Sequence, residues 1–512
     1  MSVRPPSRPQ TILAGLLAVA GIVAIVASTQ FDGSMELEPV GAPAPVNAGA
    51  RDPGDISANN SPTLGENPRR PENLAVVNRV DSPRYTCGLH VSQDGGARWQ
   101  RLELPIPRGE QPKCFGPDLA FAADGTLYVS YVTLAGRTNE PHALWLVRST
   151  DGGRTLSRPL RVSGPLTFQV RLASDPARPE RLYLTWLQPD MIGLYLFSGP
   201  NNRIVVTRSD DGGRSFSKPV RVSDQSRQRV LAPSAAVGPD GALYVLYLDV
   251  GDDRLDYEGG HGSRGGNPYS GRFSLVLGRS TDAGATWLES VVDDGVVPTR
   301  RFIPFLPPTP SLAIDKRSGR LFVAFEDGRR RPSDVYVWSL PKGAADWQGP
   351  VRVNDTGAGD RSWQYLPKIA VAPDGRLDVT YYDRRADRAD RRNHVSLQSS
   401  GDGGRTFTPH VTLTDSSFDS QIGAGSENGL PDIGSRLGLV ARDSRVLAVW
   451  TDTRAGTVDS NKQDIGFAQA AVARSDGLPS GARAALRFGG IALLLVAAGL
   501  VLAPRLRPSD GG

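Results

Sequence analysis

Three triplets place an aspartate two residues ahead of an arginine: Asp327-Gly328-Arg329, Asp383-Arg384-Arg385 and Asp452-Thr453-Arg454. A guanidinium fork donates two parallel hydrogen bonds and suits a carboxylate. Three such forks at equal places would make a site for an anionic ligand. The alternative is a local Asp–Arg ion pair that stiffens each loop. Paired arginines would be scaffold, whereas at least two unpaired heads pointing inward would be a site. A fourth segment keeps Asp249 without the arginine.

Each triplet follows a short strand-like run that carries an aromatic two residues ahead of the aspartate. The aromatics recur at Tyr131, Trp186, Tyr247, Phe325, Tyr381 and Trp450. Alternation along a strand puts them on one sheet face, and packing between neighbouring sheets is their expected role. These runs lie near 74–79, 127–133, 182–187, 243–249, 320–326, 376–382 and 445–451, which makes seven units.

Between the runs stands a repeated box: SQDGGARW (92–99), STDGGRTL (149–156), SDDGGRSF (209–216), STDAGATW (280–287) and SGDGGRTF (400–407). Its central aspartates, Asp94, Asp151, Asp211, Asp282 and Asp402, are 57, 60, 71 and 120 residues apart. A decayed copy ends at Trp347 inside the longest gap. A near-constant period signals a repeat architecture. The chemistry of the box is that of a turn. Aspartate accepts backbone N–H bonds, and the glycines permit positive φ.

Five boxes in register resemble the Asp-box (BNR) repeat family, whose members include the sialidases. The resemblance covers roughly residues 61–473. It implies an all-β propeller of four-stranded blades, with the boxes on the face opposite the working face. The strand count gives seven blades, and six, as in sialidases, is the alternative. The last unit lacks a clear fourth strand, and Met35–Val40 is the obvious donor to close the ring.

The family's catalytic apparatus is a carboxylate-holding arginine triad, an acid/base residue and a tyrosine activated by a glutamate. Arg329, Arg385 and Arg454 would be the triad. Tyr382 and Glu326, at equivalent places in adjacent units, would be the nucleophile pair. The early F/Y-R-I-P motif is missing from residues 61–91, and Arg301-Phe302-Ile303-Pro304 follows the fourth full box. The stretches 417–423, 436–456 and 463–470 resemble secreted bacterial sialidase-like proteins. Two function classes follow. One is a propeller that binds glycans or protein partners through its loop face. The other is an exo-α-sialidase or related glycoside hydrolase acting on terminal acidic sugars.

With 512 residues, 57 Gly and 41 Pro, the composition suits a turn-rich β protein. A net charge of +5, with arginines spread among acids, argues against a nucleic-acid partner. Residues 11–28 are uncharged and almost wholly apolar behind Arg4 and Arg8, as in a signal peptide or an N-terminal membrane anchor. Residues 488–503 form a second apolar run, read as a transmembrane helix between a linker (474–487) and a cytoplasmic tail (504–512). LPSG at 478–481 only partly resembles a sortase signal. Residues 31–60 read as a Pro/Gly-rich linker. The expected location is the cell membrane, with the propeller extracytoplasmic. There Cys87 and Cys114, the two cysteines, are expected to form a disulfide. No cofactor is required by this reading. Ca²⁺ in the loop 250–273, through Asp252, Asp253, Asp256, Glu258 and His261, is one option.

Overall fold

The computed structural model describes residues 8–30, 35–52, 54–190, 200–253, 269–299, 308–330, 332–426, 432–474 and 480–502. The chain forms two units, a propeller and a pair of terminal helices.

The propeller has seven antiparallel sheets arranged as successive blades. Blades 1 to 6 begin with the inner strands Asn59–Asn67, Cys114–Phe121, Phe168–Ser174, Val230–Val237, Ser311–Ile314 and Gln364–Val371. Blade 7 joins Gly438–Ala441, Arg445–Asp452 and Asp464–Arg474 to the N-terminal strand Met35–Pro45. The expected donor therefore closes the ring, and the seven-blade count holds. Asn47 Nδ2 donates to Asp464 Oδ1 at 2.8 Å, and the Val46 amide to the Ile465 carbonyl at 2.8 Å, so the closure extends past the strand. The segment 31–60 is thus more than a linker: its described part also holds a short 3-10 turn at Ala48–Arg51 and the start of blade 1.

The recurring aromatics Tyr131, Trp186, Tyr247, Phe325, Tyr381 and Trp450 are all buried, as inter-blade packing requires. The boxes close on themselves. In the second, Ser149 Oγ donates to Asp151 Oδ1 at 2.6 Å, and the amides of Arg154 and Thr155 donate to the same oxygen at 2.9 and 3.0 Å. Asp94, Asp211, Asp282 and Asp402 accept bonds in the same way. Their carboxylates are held below the usual range, most of the lowering coming from these hydrogen bonds. Each box follows the third strand of its blade, so the ends of second strands and the inter-blade connections lie on the opposite, working face. Cys87, in the third strand of blade 1, is bonded to Cys114, the first residue of blade 2, with Cα atoms 5.5 Å apart.

The second unit pairs α1 (Arg8–Gln30) with α2 (Ser480–Leu502). Small residues form the seam: Ala14, Gly21, Gly490 and Ala497 are buried. A Cβ on Gly21 would fall 2.8 Å from the Gly490 carbonyl oxygen, so only glycine permits this approach. Large apolar side chains point away, with Ile12, Leu16, Phe488 and Leu495 65%, 64%, 72% and 68% exposed. Side chains are described over runs of 11–24 and 488–502, and among the described residues no helix is long and apolar enough to cross a membrane.

Candidate functional site: the cationic central channel

The three triplet arginines lie on the working face, and each is held by two carboxylates. Arg329 donates through Nε to Asp327 at 2.8 Å and through Nη2 to Asp293 at 2.8 Å, over the rings of Tyr336 and Trp338. Arg385 donates to Asp383 at 2.6 Å and to Asp355. Arg454 donates to Asp452 at 2.6 Å and to Asp415. The first carboxylate is local. The second comes from the outermost strand of the preceding blade, or just past it: Asp293 from Leu288–Val296, Asp355 after Gln348–Arg352, Asp415 after Val411–Thr412. These arginines are clamps between blades at the perimeter. Burial pulls each guanidinium down, and its acidic neighbours, Tyr381 and two carboxylates at Arg385 and the carboxylates at Arg329 and Arg454, more than reverse this.

Blade 4 builds the same clamp from the other side. Arg227, from the connection out of blade 3, donates to Asp249 at 2.8 Å and to Glu289 at 3.0 Å. Tyr247, itself buried, also donates to Glu289, so a part-buried tyrosine–glutamate contact exists here, with Arg227 of the clamp on the same carboxylate.

Tyr382 and Glu326 are not brought together as a hydrogen-bonded pair. The Tyr382 hydroxyl is bound to the Thr451 backbone, donating to its carbonyl at 3.3 Å and accepting from its amide at 3.0 Å. Glu326 accepts from Thr299 Oγ1 and from the Leu366 amide, both at 2.7 Å. Burial raises the Tyr382 phenol and pushes Glu326 up to about 7. Each ties one blade to the next: Glu326 joins blade 5 to blade 6, and Tyr382 joins blade 6 to blade 7. In the loop 250–273, Asp256, Glu258 and His261 lie outside the described residues, and among the described residues no cluster of three or more metal-ligating side chains occurs.

The channel has a different character. Inner strands of blades 1, 2, 3, 4 and 6 share a bulge, after which Thr63, Asp118, Arg171, Ser234 and Lys368 resume pairing. The second residue before each has positive φ, and four of these are not glycine: Ser61, Gln169, Ala232 and Leu366, at +53°, +51°, +54° and +55°. A bulge of this kind re-aims the next side chains, and non-glycine residues rarely adopt it. Blade 5 presents Ser311 at the same register. In blade 7 that register falls on Gly438, and Arg436, two residues toward the working face, supplies the side chain.

The result is a ring of one residue per blade. Thr63 Oγ1 donates to Asp118 Oδ1 at 2.8 Å, and the Leu172 amide donates to Asp118 Oδ2 at 2.9 Å. Arg436 Nε donates to Thr63 Oγ1 at 2.9 Å. Arg171 donates to the Val170 carbonyl at 2.9 Å and to Thr309 Oγ1 at 3.0 Å. Among the described residues, no carboxylate lies within ion-pair distance of Arg171, Lys368 or Arg436; Asp118 acts on all three from farther off, and its two oxygens already accept from neutral donors. Three cations therefore share the channel with one carboxylate. Burial lowers all three, and repulsion adds to it for two of them: Arg171 and Arg436 push Lys368 down, and Arg171 and Arg79 push Arg436 down, while Asp118 pulls each of the three the other way. Lys368 is lowered to about 8. Uncompensated cations in low dielectric attract an anion strongly. Sequence reasoning missed this ring because its members differ from blade to blade.

No protein-family model matches the chain, and no curated protein does. Among solved structures it is similar to a Dyadobacter fermentans protein of unknown function, with 15% identity over 71% of this chain and 98% of the other, at a TM-score of 0.46. It is also similar to a Hadza microbial sialidase, with 15% identity over 78% and 74% of the two chains and a TM-score of 0.41. A third is an ulvan lyase of polysaccharide lyase family PL25, with 12% identity over 81% and 94% and a TM-score of 0.47. The propeller is established by its own strands, and these likenesses add nothing to the site.

Proposed function

We propose that this protein is a ligand-binding β-propeller that takes an anionic saccharide on its working face, over the cationic ring, without hydrolysing it. The observation that carries the anionic part is the charge imbalance in the channel: Arg171, Lys368 and Arg436 against Asp118 alone. The saccharide part rests on the resemblance of the five boxes to the Asp-box family. Hydrolysis is disfavoured because Tyr382 and Glu326 are each spent on backbone ties to the next blade. Calorimetric titration with glucuronate tests it, with glucose as the uncharged control. Binding of glucuronate alone supports the reading, and equal binding or no binding of the two sinks it.

The same proposal includes attachment to a lipid bilayer through α1 and α2, with the propeller outside the cytoplasm. What supports it is the inside-out pattern of the helix pair, small residues within and large apolar residues outward. The Cys87–Cys114 disulfide fits an oxidising compartment. Protease treatment of intact cells should remove the propeller. Digestion only after lysis would contradict the orientation.

A further inference from the structure

The chain has six lysines, at positions 113, 218, 316, 342, 368 and 462. Five have ordinary settings. Lys113 donates to the Gly136 carbonyl and to Asn139, and Lys462 to the carbonyls of Gly49, Ala50 and Asp52. Lys218, Lys316 and Lys342 are exposed. Lys368 is half-buried on the inner strand of blade 6, and its ammonium has neither a hydrogen bond nor an ion pair among the described residues. Its charged neighbours in the channel are Asp118, Arg171 and Arg436.

We propose that Lys368 is a carbonyl-reactive amine and that the channel takes a 2-oxo carboxylate, whose carboxylate is gripped by Arg171 and Arg436. The proposal rests on the anion-binding reading of the ring and adds a reaction to it. Two chemical requirements meet at this place. An amine attacks a carbonyl only when unprotonated, so it must be desolvated or set beside other cations. The carboxylate of a 2-oxo acid must be held one bond away from the electrophilic carbon, which guanidinium groups beside the amine accomplish. Arg171 and Arg436 do both: they repel the Lys368 proton and attract the carboxylate. The Nζ lone pair forms the C–N bond while the carbonyl π pair moves to oxygen. The two amine protons then leave with that oxygen as water, and an imine remains. No oxidant or reductant takes part.

The test uses the full chain with pyruvate and cyanoborohydride at pH 7.5, followed by peptide mapping of all six lysines. At that pH the free-amine fraction of a lysine lowered to about 8 exceeds that of an ordinary one by about two orders of magnitude. The expected result is an adduct concentrated on Lys368 and suppressed by lactate, which has the carboxylate but no ketone. K368R should lose the adduct. Even labelling across the exposed lysines would overturn the proposal, as would labelling of Lys368 by acetone equal to that by pyruvate. If lactate and pyruvate bind but no adduct forms, the reactive amine fails and the anion site stands. If neither binds, the anion site fails as well.

Discussion

The perimeter and the channel both concentrate basic side chains, but they treat their charge in opposite ways. At the perimeter, Arg329, Arg385 and Arg454 each meet two carboxylates, one local and one from the preceding blade. In the channel, Arg171, Lys368 and Arg436 share one aspartate whose oxygens are already occupied. A guanidinium neutralised by carboxylates is a mechanical part, whereas one bonded only to neutral acceptors, as Arg171 and Arg436 are, keeps its charge for a ligand. Counting arginines on a face therefore says little. What each head touches decides its role.

The largest effect should come from breaking a clamp. Asp383 is buried and accepts from Arg385, Gln364 and Ser396. Asp383→Ala leaves Arg385 with Asp355 as its remaining carboxylate and strips Gln364 and Ser396 of a buried acceptor, and should cost about 3–5 kcal/mol in urea denaturation. Anion affinity of the folded fraction should not change. A coupled loss of affinity would show that the perimeter belongs to the site.

Next comes the channel. Arg436→Gln should weaken glucuronate binding by about 1.5–3 kcal/mol, the range for a hydrogen bond to a charged group. Stability should hold or rise, because an unpaired buried charge is removed. A large fall in melting temperature with unchanged affinity would make Arg436 another scaffold residue.

A pH series sharpens the contrast further. The folded pKa of Lys368 is lowered to about 8 from an ordinary 10.5. Between those values the unfolded chain binds the extra proton, so the contribution of this group to stability rises with pH. Anion affinity moves the other way and should fall as pH passes 8. K368M should flatten both trends, and their persistence in that variant would assign them elsewhere.

The smallest effect is expected at the boxes. Asp211 is held low chiefly by bonds from Ser215, Ser209 and Arg214, which outweigh its burial. Its contribution is present above the unfolded carboxylate pKa and fades as pH falls through the folded value. Asp211→Asn should thus lower the melting temperature slightly at pH 7 and less at pH 3, with no change in binding at pH 7. A loss of binding would place function on the box face.

Much of the fold was legible because a repeat states its rule several times. Five boxes, seven second strands and a donor at Met35 named the propeller and its closure. Cys87 and Cys114 followed from being the lone pair in a chain read as extracytoplasmic. The clamps were half legible. Asp327, Asp383 and Asp452 stand two residues from their arginines, but Asp293, Asp355 and Asp415 reach in from a different blade. That second carboxylate turns a candidate site into scaffold, and no local pattern announces it. The channel ring was not legible at all. The bulges place positive φ on Gln169 and Leu366, residues that do not announce it, and Thr63, Asp118, Arg171, Ser234 and Lys368 share a slot without sharing chemistry.

The most direct test compares two double variants in one titration. R171Q/R436Q removes the guanidinium groups of the channel, and R329Q/R385Q removes those of two clamps. Both are titrated with glucuronate by calorimetry at pH 7, after thermal melts confirm a folded propeller. The channel variant should lose binding, and the perimeter variant should keep wild-type affinity. Binding that survives in R171Q/R436Q and vanishes in folded R329Q/R385Q would contradict it.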